Sequence, residues 1–316
     1  MNKELLDILC CPYCHKDLEL SENILYCSGC GKEYKIIEDI PFFNLSSGED
    51  WDINLARKKW HNYYKEFQWE IEREKYNPSN LLYIYRHLFP IEKKSVFLEI
   101  GSGPSFLSFD LAQRGVKVVC VDFDLDILKI AREHFQKHQV EGIFLCADIH
   151  RLPLRDNLFD FSAGIGVIEH SSHLFNSVQE MERVTNKGGY VVAIVANKYH
   201  ALYFSNVTSQ FGELDRVMKR GQIKFAKDSP PMHTFTPGSL HGLLKKSGFS
   251  SAKIYGFPIT IYPNMEETTL AKNSEYMKEN LTQKNITRKL LEIESKVCLE
   301  EETASRGNML LAIGRK

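Results

Sequence analysis

Charge of one sign is what this 316-residue chain lacks first: 40 Lys and Arg stand against 41 Asp and Glu, a formal net charge of −1. No overall field therefore draws it to nucleic acid or to an anionic membrane, and only a local patch could do so. It also has no run of about 18 apolar residues, the length a membrane-spanning helix needs. The opening residues, MNKELLDILCCPYC, hold neither an apolar core nor a small-residue cleavage site of the secretory kind, so a cytoplasmic location is expected. Tryptophan is scarce, with three residues at 51, 60 and 69. Cysteine is scarce beyond residue 30: five of eight lie at 10, 11, 14, 27 and 30. A disulfide framework would spread them, whereas this concentration fits a metal site in a reducing compartment. What is present is an ordinary globular composition, 43% hydrophobic, enough for one full α/β core with additions or for two smaller domains.

Cys11 and Cys14 form one C-x-x-C, and Cys27 and Cys30 form a second after twelve intervening residues. Two tight turns, each bending its thiolates inward and joined by a hairpin, supply four soft ligands in tetrahedral array, which suits structural zinc. LELS and EYKII alternate as ribbon strands do. Cys10 is a packed neighbour, since its use would stretch the knuckle to C-x-x-x-C, and His15 is redundant. So short a module buries too little to hold itself together, and the metal would contribute much of its folding energy. LLDILCCPYC, followed by YCSGCGKEYKIIEDIPFF, resembles the zinc-ribbon proteins that serve as small activating partners of tRNA and protein methyltransferases. The segment expected is 1–45.

Residues 46–94 read as a helical bridge. WDINLARKKWHNYYKEFQWEIEREKYN is dense in charge and aromatics as far as Pro78. Tryptophans nine residues apart alternate between helix sides, so they are not a base-stacking stripe but suit a helix packed on both faces. Tyr63 and Tyr64 could reach over a cofactor pocket.

From residue 95 to 316 an α/β domain is expected. SVFLEI is a β-branched apolar strand running into Gly101 and Gly103, FLSFDLAQRG is a helix, and VKVVCVDFD is a second buried strand. This βαβ unit places Asp122 at a strand tip nineteen residues past Gly103, where a carboxylate can accept both ribose hydroxyls. Phe106 stands where a pyrophosphate loop has its third glycine, Glu99 precedes the first glycine by two residues, and the loop has no Lys or Arg. A cofactor without phosphate is indicated. S-adenosylmethionine fits, its ammonium held near Glu99 through the loop and its ribose by Asp122.

The next stretch, ADIHRLP, then FDF, GVIEH, EMERV and NKGG, is similar to the class I S-adenosylmethionine-dependent methyltransferases, in particular the group that acts on quinones and other small molecules. The resemblance covers residues 95–196. It implies a Rossmann-like seven-stranded sheet with helices on both faces, the zinc ribbon being a small addition. It further implies a cofactor site of Glu99, Gly101, Ser102, Gly103 and Asp122, with Phe123 against the adenine, Asp148 and Ile149 at its amino group, and Gly166 toward the methionine part. Ser105 departs from the family, which often has glycine there. Asp122 and Asp148 have plainer readings as a helix cap and a turn residue, and Asp124 could cap the same helix.

Two insertions carry specificity. Residues 198–232 are too long for a simple connection and read as a lid over the strand ends; Arg216, Lys219, Arg220, Lys224 and Lys227 could grip an anion or form a solvated helix face. Residues 259–306 replace a hairpin between the last strands, SAKIYGFP and NMLLAIGRK, and suit a second cap or a homodimer contact. Candidate catalytic groups are His170, at a strand end, and His233, just ahead of a helix that Thr236 caps and Pro237 opens. The function expected is methyl transfer to an O, N or S nucleophile of a small molecule or a modified peptide or protein. An RNA-base methyltransferase of the ribosomal-guanine or tRNA type is the first alternative, although its fourth zinc ligand would typically be histidine and its charge more basic. A non-catalytic scaffold that binds S-adenosylmethionine and recruits a partner through the ribbon is the second.

Overall fold

The computed structural model describes residues 3–43, 69, 91–207, 211–224, 231–257, 293, 296–297 and 300–316. Tyr63, Tyr64, Lys227, most of the bridge and most of the second insertion lie outside them.

Ribbon strands β1 (Leu18–Ser21), β2 (Ile24–Cys27), β3 (Glu33–Ile37) and β4 (Ile40–Phe42) follow a short helix α1 (Lys3–Ile8). Then come β5 (Val96–Ile100), α2 (Phe106–Ala112), β6 (Lys117–Asp122), α3 (Leu125–Lys137), β7 (Ile143–Cys146) and β8 (Phe159–Ile165). A single 3-10 turn (Ile168–His170) leads to α4 (Leu174–Val184) and the long β9 (Thr185–Ala196). The first insertion forms α5 (Lys198–Val207), α6 (Phe211–Arg220), β10 (Gln222–Ile223) and β11 (Met232–His233). The chain closes with α7 (Pro237–Lys246), β12 (Ser251–Phe257), a 3-10 segment (Glu301–Arg306) and β13 (Met309–Arg315).

The seven strands expected are there, in spatial order β7-β6-β5-β8-β9-β13-β12. β7, β6, β5, β8 and β9 are mutually parallel, and β13 is antiparallel to both neighbours. Chain order reverses beside β5, so the loops leaving β5 and β8 open a crevice at the carboxyl ends of the strands, where such sheets take ligands. Alternation along each strand feeds two cores: Leu98, Ile100, Val119 and Val121 pack on one face, Phe97, Val118 and Cys120 on the other.

The sequence did not show that the ribbon joins this sheet. β4 runs parallel to β7 with Phe42 opposite Cys146, and the Phe43 amide donates to the Cys146 carbonyl at 2.9 Å. The result is one eleven-stranded sheet. An exposed edge strand of a parallel sheet is a liability, and the ribbon covers it. Leu9 bridges Leu154, and the ribbon side chains Leu9, Leu25, Tyr34 and Phe43 belong to the same apolar cluster as Leu98 and Val121. Polar ties flank this contact, with Lys129 on Glu38 at 2.6 Å and Arg155 on Asp17 at 2.7 Å.

Trp69, described in the bridge together with residues 91–94, is fully buried. Its ring stacks on His134 of α3 at 4.5 Å and meets Phe106 and Phe109 of α2 edge-on, while its Nε1–H donates to the Pro104 carbonyl at 2.9 Å. Phe106, which displaces the third glycine, thus packs against a tryptophan that latches the glycine loop.

Candidate cofactor and metal sites

The loop after β5 is shaped by glycines that have no substitute. Gly101 has φ +61°, and a Cβ there would come within 2.3 Å of Val167 Cγ2, so the loop and the turn after β8 touch only because the side chain is missing. Ser105 adopts φ 56° without being glycine, a conformation costing about 1–2 kcal/mol, and its hydroxyl caps nothing.

Asp122 is buried at the tip of β6, its Oδ2 accepting the Gly103 amide at 2.8 Å and its Oδ1 the Asp124 amide at 2.9 Å. It therefore fixes the loop from the opposite strand. The helix cap is Asp124, whose Oδ1 accepts the amides of Asp126 and Ile127. Glu99 accepts the Ser108 amide at 3.1 Å and the Ser108 hydroxyl at 2.5 Å. Burial pushes both carboxyls up, Asp122 to about 6 and Glu99 to about 7. Ser102 Oγ, also buried, has no hydrogen-bond partner. Such an atom costs stability unless something completes it, and a ligand's polar group would.

Asp148 closes its own turn, accepting the His150 amide on Oδ1 at 2.9 Å, so its plainer role is real. It does more, because His150 Nδ1 lies 2.6 Å from the same oxygen and Nε2 lies 2.7 Å from Ser171 Oγ, which meets Ser177 Oγ at 2.8 Å. This chain of polar groups ties the Asp148 loop to the start of α4, and the sequence gives no sign of it. Ile149 follows Asp148 and is half-buried, Phe123 is half-buried beside Asp122, and Gly166, at φ +65°, faces open space.

His233 sits on β11, which pairs with β10, while the Phe235 amide donates to the Ala196 carbonyl at the end of β9. β11 packs against the 3-10 turn that carries His170, so the fold brings the two segments that carry these histidines together. Burial lowers the pKa of His233 and leaves its imidazole neutral near pH 7. Thr236 caps α7 as expected, in a reciprocal box with Ser239. Two cations of α6 are engaged with their own helix, Arg216 with Glu213 at 3.1 Å and Lys219 with Asp215 at 2.9 Å. Sequence reasoning singles out His170 and misses its neighbour Glu169, which is 1% exposed, has an unpartnered Oε2 and is pushed up to about 8 by burial. The adjacent E-H letters were the available signal.

In the ribbon the four expected thiols converge, with all ligand atoms within 4.8 Å of one another. Cys11 and Cys30 approach to 3.6 Å and Cys14 and Cys27 to 3.3 Å. A donor set of four sulfurs so close suits zinc. Cys10 stands apart, its Sγ 3.9 Å from His15 Nδ1. Tyr34, which sequence reasoning passes over, sets its hydroxyl 3.1 Å from Cys11 Sγ.

Residues 98–193 match the family described as Methyltransferase domain, and residues 2–39 match the family described as Trm112p-like protein. The chain is 24% identical over 198 residues to a ubiquinone biosynthesis O-methyltransferase from Nitrosomonas europaea, covering 61% of this chain and 80% of that one. It is 34% identical over 92 residues to the biotin biosynthesis bifunctional protein BioHC from Cellvibrio japonicus, covering 29% of this chain. The chain spans less than half the length of two of its curated relatives, 18% and 44%. Among solved structures, it shares its fold with a chain of the complex between the Haloferax volcanii Trm112 methyltransferase activator and its partner (TM-score 0.50, 14% identity, 84% of this chain and 96% of that one). Within one continuous sheet, then, the chain carries one segment similar to the Trm112p-like proteins and a second similar to methyltransferase domains.

Proposed function

We propose that the chain transfers a methyl group from S-adenosylmethionine to an O, N or S nucleophile on a small molecule or a modified peptide. The observation that carries this reading is the glycine loop pinned at residue 103 by Asp122, with an unpartnered Ser102 hydroxyl and no cationic side chain in it. Bound there, the cofactor supplies an electrophilic methyl carbon. Asp122 and Phe123 hold its ribose and adenine edge, Asp148 and Ile149 the far end of the adenine, and Glu99, Gly101 and Gly103 shape the methionine end beside Gly166. Cys11, Cys14, Cys27 and Cys30 hold a structural zinc. His233 and His170 line the acceptor side, where a neutral imidazole orients the acceptor by a hydrogen bond. Alignment in a closed crevice accounts for most of the rate. The small-molecule relatives and the even charge favour this over RNA. The ribbon serves its own catalytic sheet, since its edge strand is already paired to β7.

Calorimetry with S-adenosylmethionine and with NADH tests the cofactor, and NADH binding alone would overturn the reading. Labelled cofactor incubated with a cell extract, then split into RNA, protein and metabolite fractions, tests the acceptor; label in RNA would install the RNA alternative. His233→Ala is expected to lower turnover ten-fold or more at unchanged cofactor affinity, and equal losses of stability and binding would instead make it a structural residue.

A further inference from the structure

Glu169 is the strongest unexplained group in the described residues. It lies in the 3-10 turn that follows β8, two residues past Val167, whose side chain fills the space over Gly101. The turn packs against the ends of β9, α4 and β11, so Glu169 stands between the glycine loop and the strand that carries His233. Its side chain is all but sealed from solvent, and Oε2 meets no donor. An acid buried in this way costs several kcal/mol when ionised and unpaired. Packing alone would be served better by leucine.

Resting on the function proposed above, we propose that Glu169 is the carboxylate of the reacting centre, ionised when the cationic cofactor arrives and taking the proton of a hydroxyl or ammonium group on the acceptor. The acceptor's lone pair forms the new bond to the methyl carbon, its proton passes to Glu169, and the electrons of the broken carbon–sulfur bond stay on sulfur. Charge balances throughout, because the carboxylate's negative charge and the sulfonium's positive charge are lost together. This role selects an acceptor that brings a proton. An anionic acceptor would meet the carboxylate's repulsion, and Arg216 and Lys219 of the first insertion are already paired within α6.

The titratable groups on the elements packed against this turn are His170 on the turn itself, His173 at the start of α4 and His233 on β11. The end of β9, residues 194–196, is apolar, and of the α4 charges Glu180 and Arg183 pair with each other while Glu182 pairs with Lys316. A single substitution must therefore isolate Glu169.

Proton release on cofactor binding reads its ionisation directly. Calorimetric titration of the full chain, in buffers of different ionisation heat, counts the protons. With its pKa pushed up to about 8, Glu169 is roughly nine-tenths protonated in the empty protein at pH 7. S-adenosylmethionine should then expel nearly one more proton from the wild type than from Glu169→Gln, and the excess should vanish above pH 9. S-adenosylhomocysteine, which lacks the sulfonium charge, should expel less. Equal proton counts for wild type and variant, or for the two ligands on wild type, would overturn the inference. Failure of the wild type to bind S-adenosylmethionine at all would overturn the cofactor reading instead. The comparison of two ligands on the wild type stands even if the variant does not fold. At saturating S-adenosylmethionine, labelling of the low-molecular-mass extract fraction should fall about 100-fold in Glu169→Gln; undiminished labelling would remove Glu169 from proton transfer.

Discussion

Glu99, Asp122 and Glu169 share one property, a proton held more tightly in the folded chain than outside it. Their pKa values rise from 4.5, 3.8 and 4.5 to about 7, 6 and 8 because burial disfavours the charged form. The folded state therefore binds more protons than the unfolded one between about pH 4 and pH 8. The stability these groups contribute is complete below the unfolded values and is lost as pH rises through the folded ones. The empty protein should accordingly melt at a lower temperature at pH 8 than at pH 5.5. Affinity for the cationic cofactor should run the opposite way, tightening over the same interval as the three carboxyls ionise. Melting and calorimetry at four or five pH values check both slopes, and parallel slopes would show that the three acids do not face the cofactor. Of these residues, Glu99 and Asp122 are legible in the sequence because each has a fixed offset from the glycines. Glu169 is legible only as the first letter of the E-H pair; what marks it out is the absence of a partner, and absence of a partner has no spacing.

At the scale of elements, the E-x-x-R-V run of α4 has a structural reason. Arg183 donates from Nε and Nη2 to Glu180 at 2.7 and 2.8 Å, from Nη1 to the Leu154 carbonyl and Asp156, both at 2.7 Å, and from Nη2 to the Leu152 carbonyl at 3.1 Å. Glu180 in turn accepts the Leu152 amide at 2.7 Å. One guanidinium fork thus fastens the loop after Asp148 to α4, and the same loop bridges to Leu9 of the ribbon. Lysine keeps the charge but not the planar set of five donors. Arg183→Lys is expected to cost about 2 kcal/mol and to weaken cofactor binding through the Asp148 loop, with denaturant unfolding and cofactor titration as the two readouts. Unchanged stability would mean that the loop is held by its apolar residues alone. Strands and helices of the core were readable from periodicity and caps, as the Thr236 box shows. The α5 and α6 pair was not readable as a unit, because its separate small core takes one residue each from α5, α6 and β10, Ala201, Val217 and Ile223, and so follows no single period.

For the molecule as a whole, the ribbon and the parallel sheet are one hydrogen-bonded body, and this changes what the metal is expected to stabilise. Spacing alone suggests a module whose zinc supports only residues 1 to 45. Parallel pairing across a sheet edge is long-range, and no local pattern announces it. Yet β4 pairs with β7, and Tyr34 and Phe43, their rings 4.9 Å apart, lie in the cluster that also holds Leu98 and Val121. The Tyr34 hydroxyl, 3.1 Å from Cys11 Sγ, connects that cluster to the thiols themselves. Loss of the metal should therefore loosen β4 and Tyr34, uncover the edge of β7, and lower the stability of the parallel sheet with that of the ribbon. The purified protein is expected to hold about one zinc. Cys27→Ser should release it and shift the main calorimetric transition downward as a single event. S-adenosylmethionine, by stabilising the far side of the same sheet, should slow zinc loss to a chelator in the wild type. Two separate transitions, with only a small early one moved by the substitution, would show that the ribbon folds by itself despite the shared strand pairing.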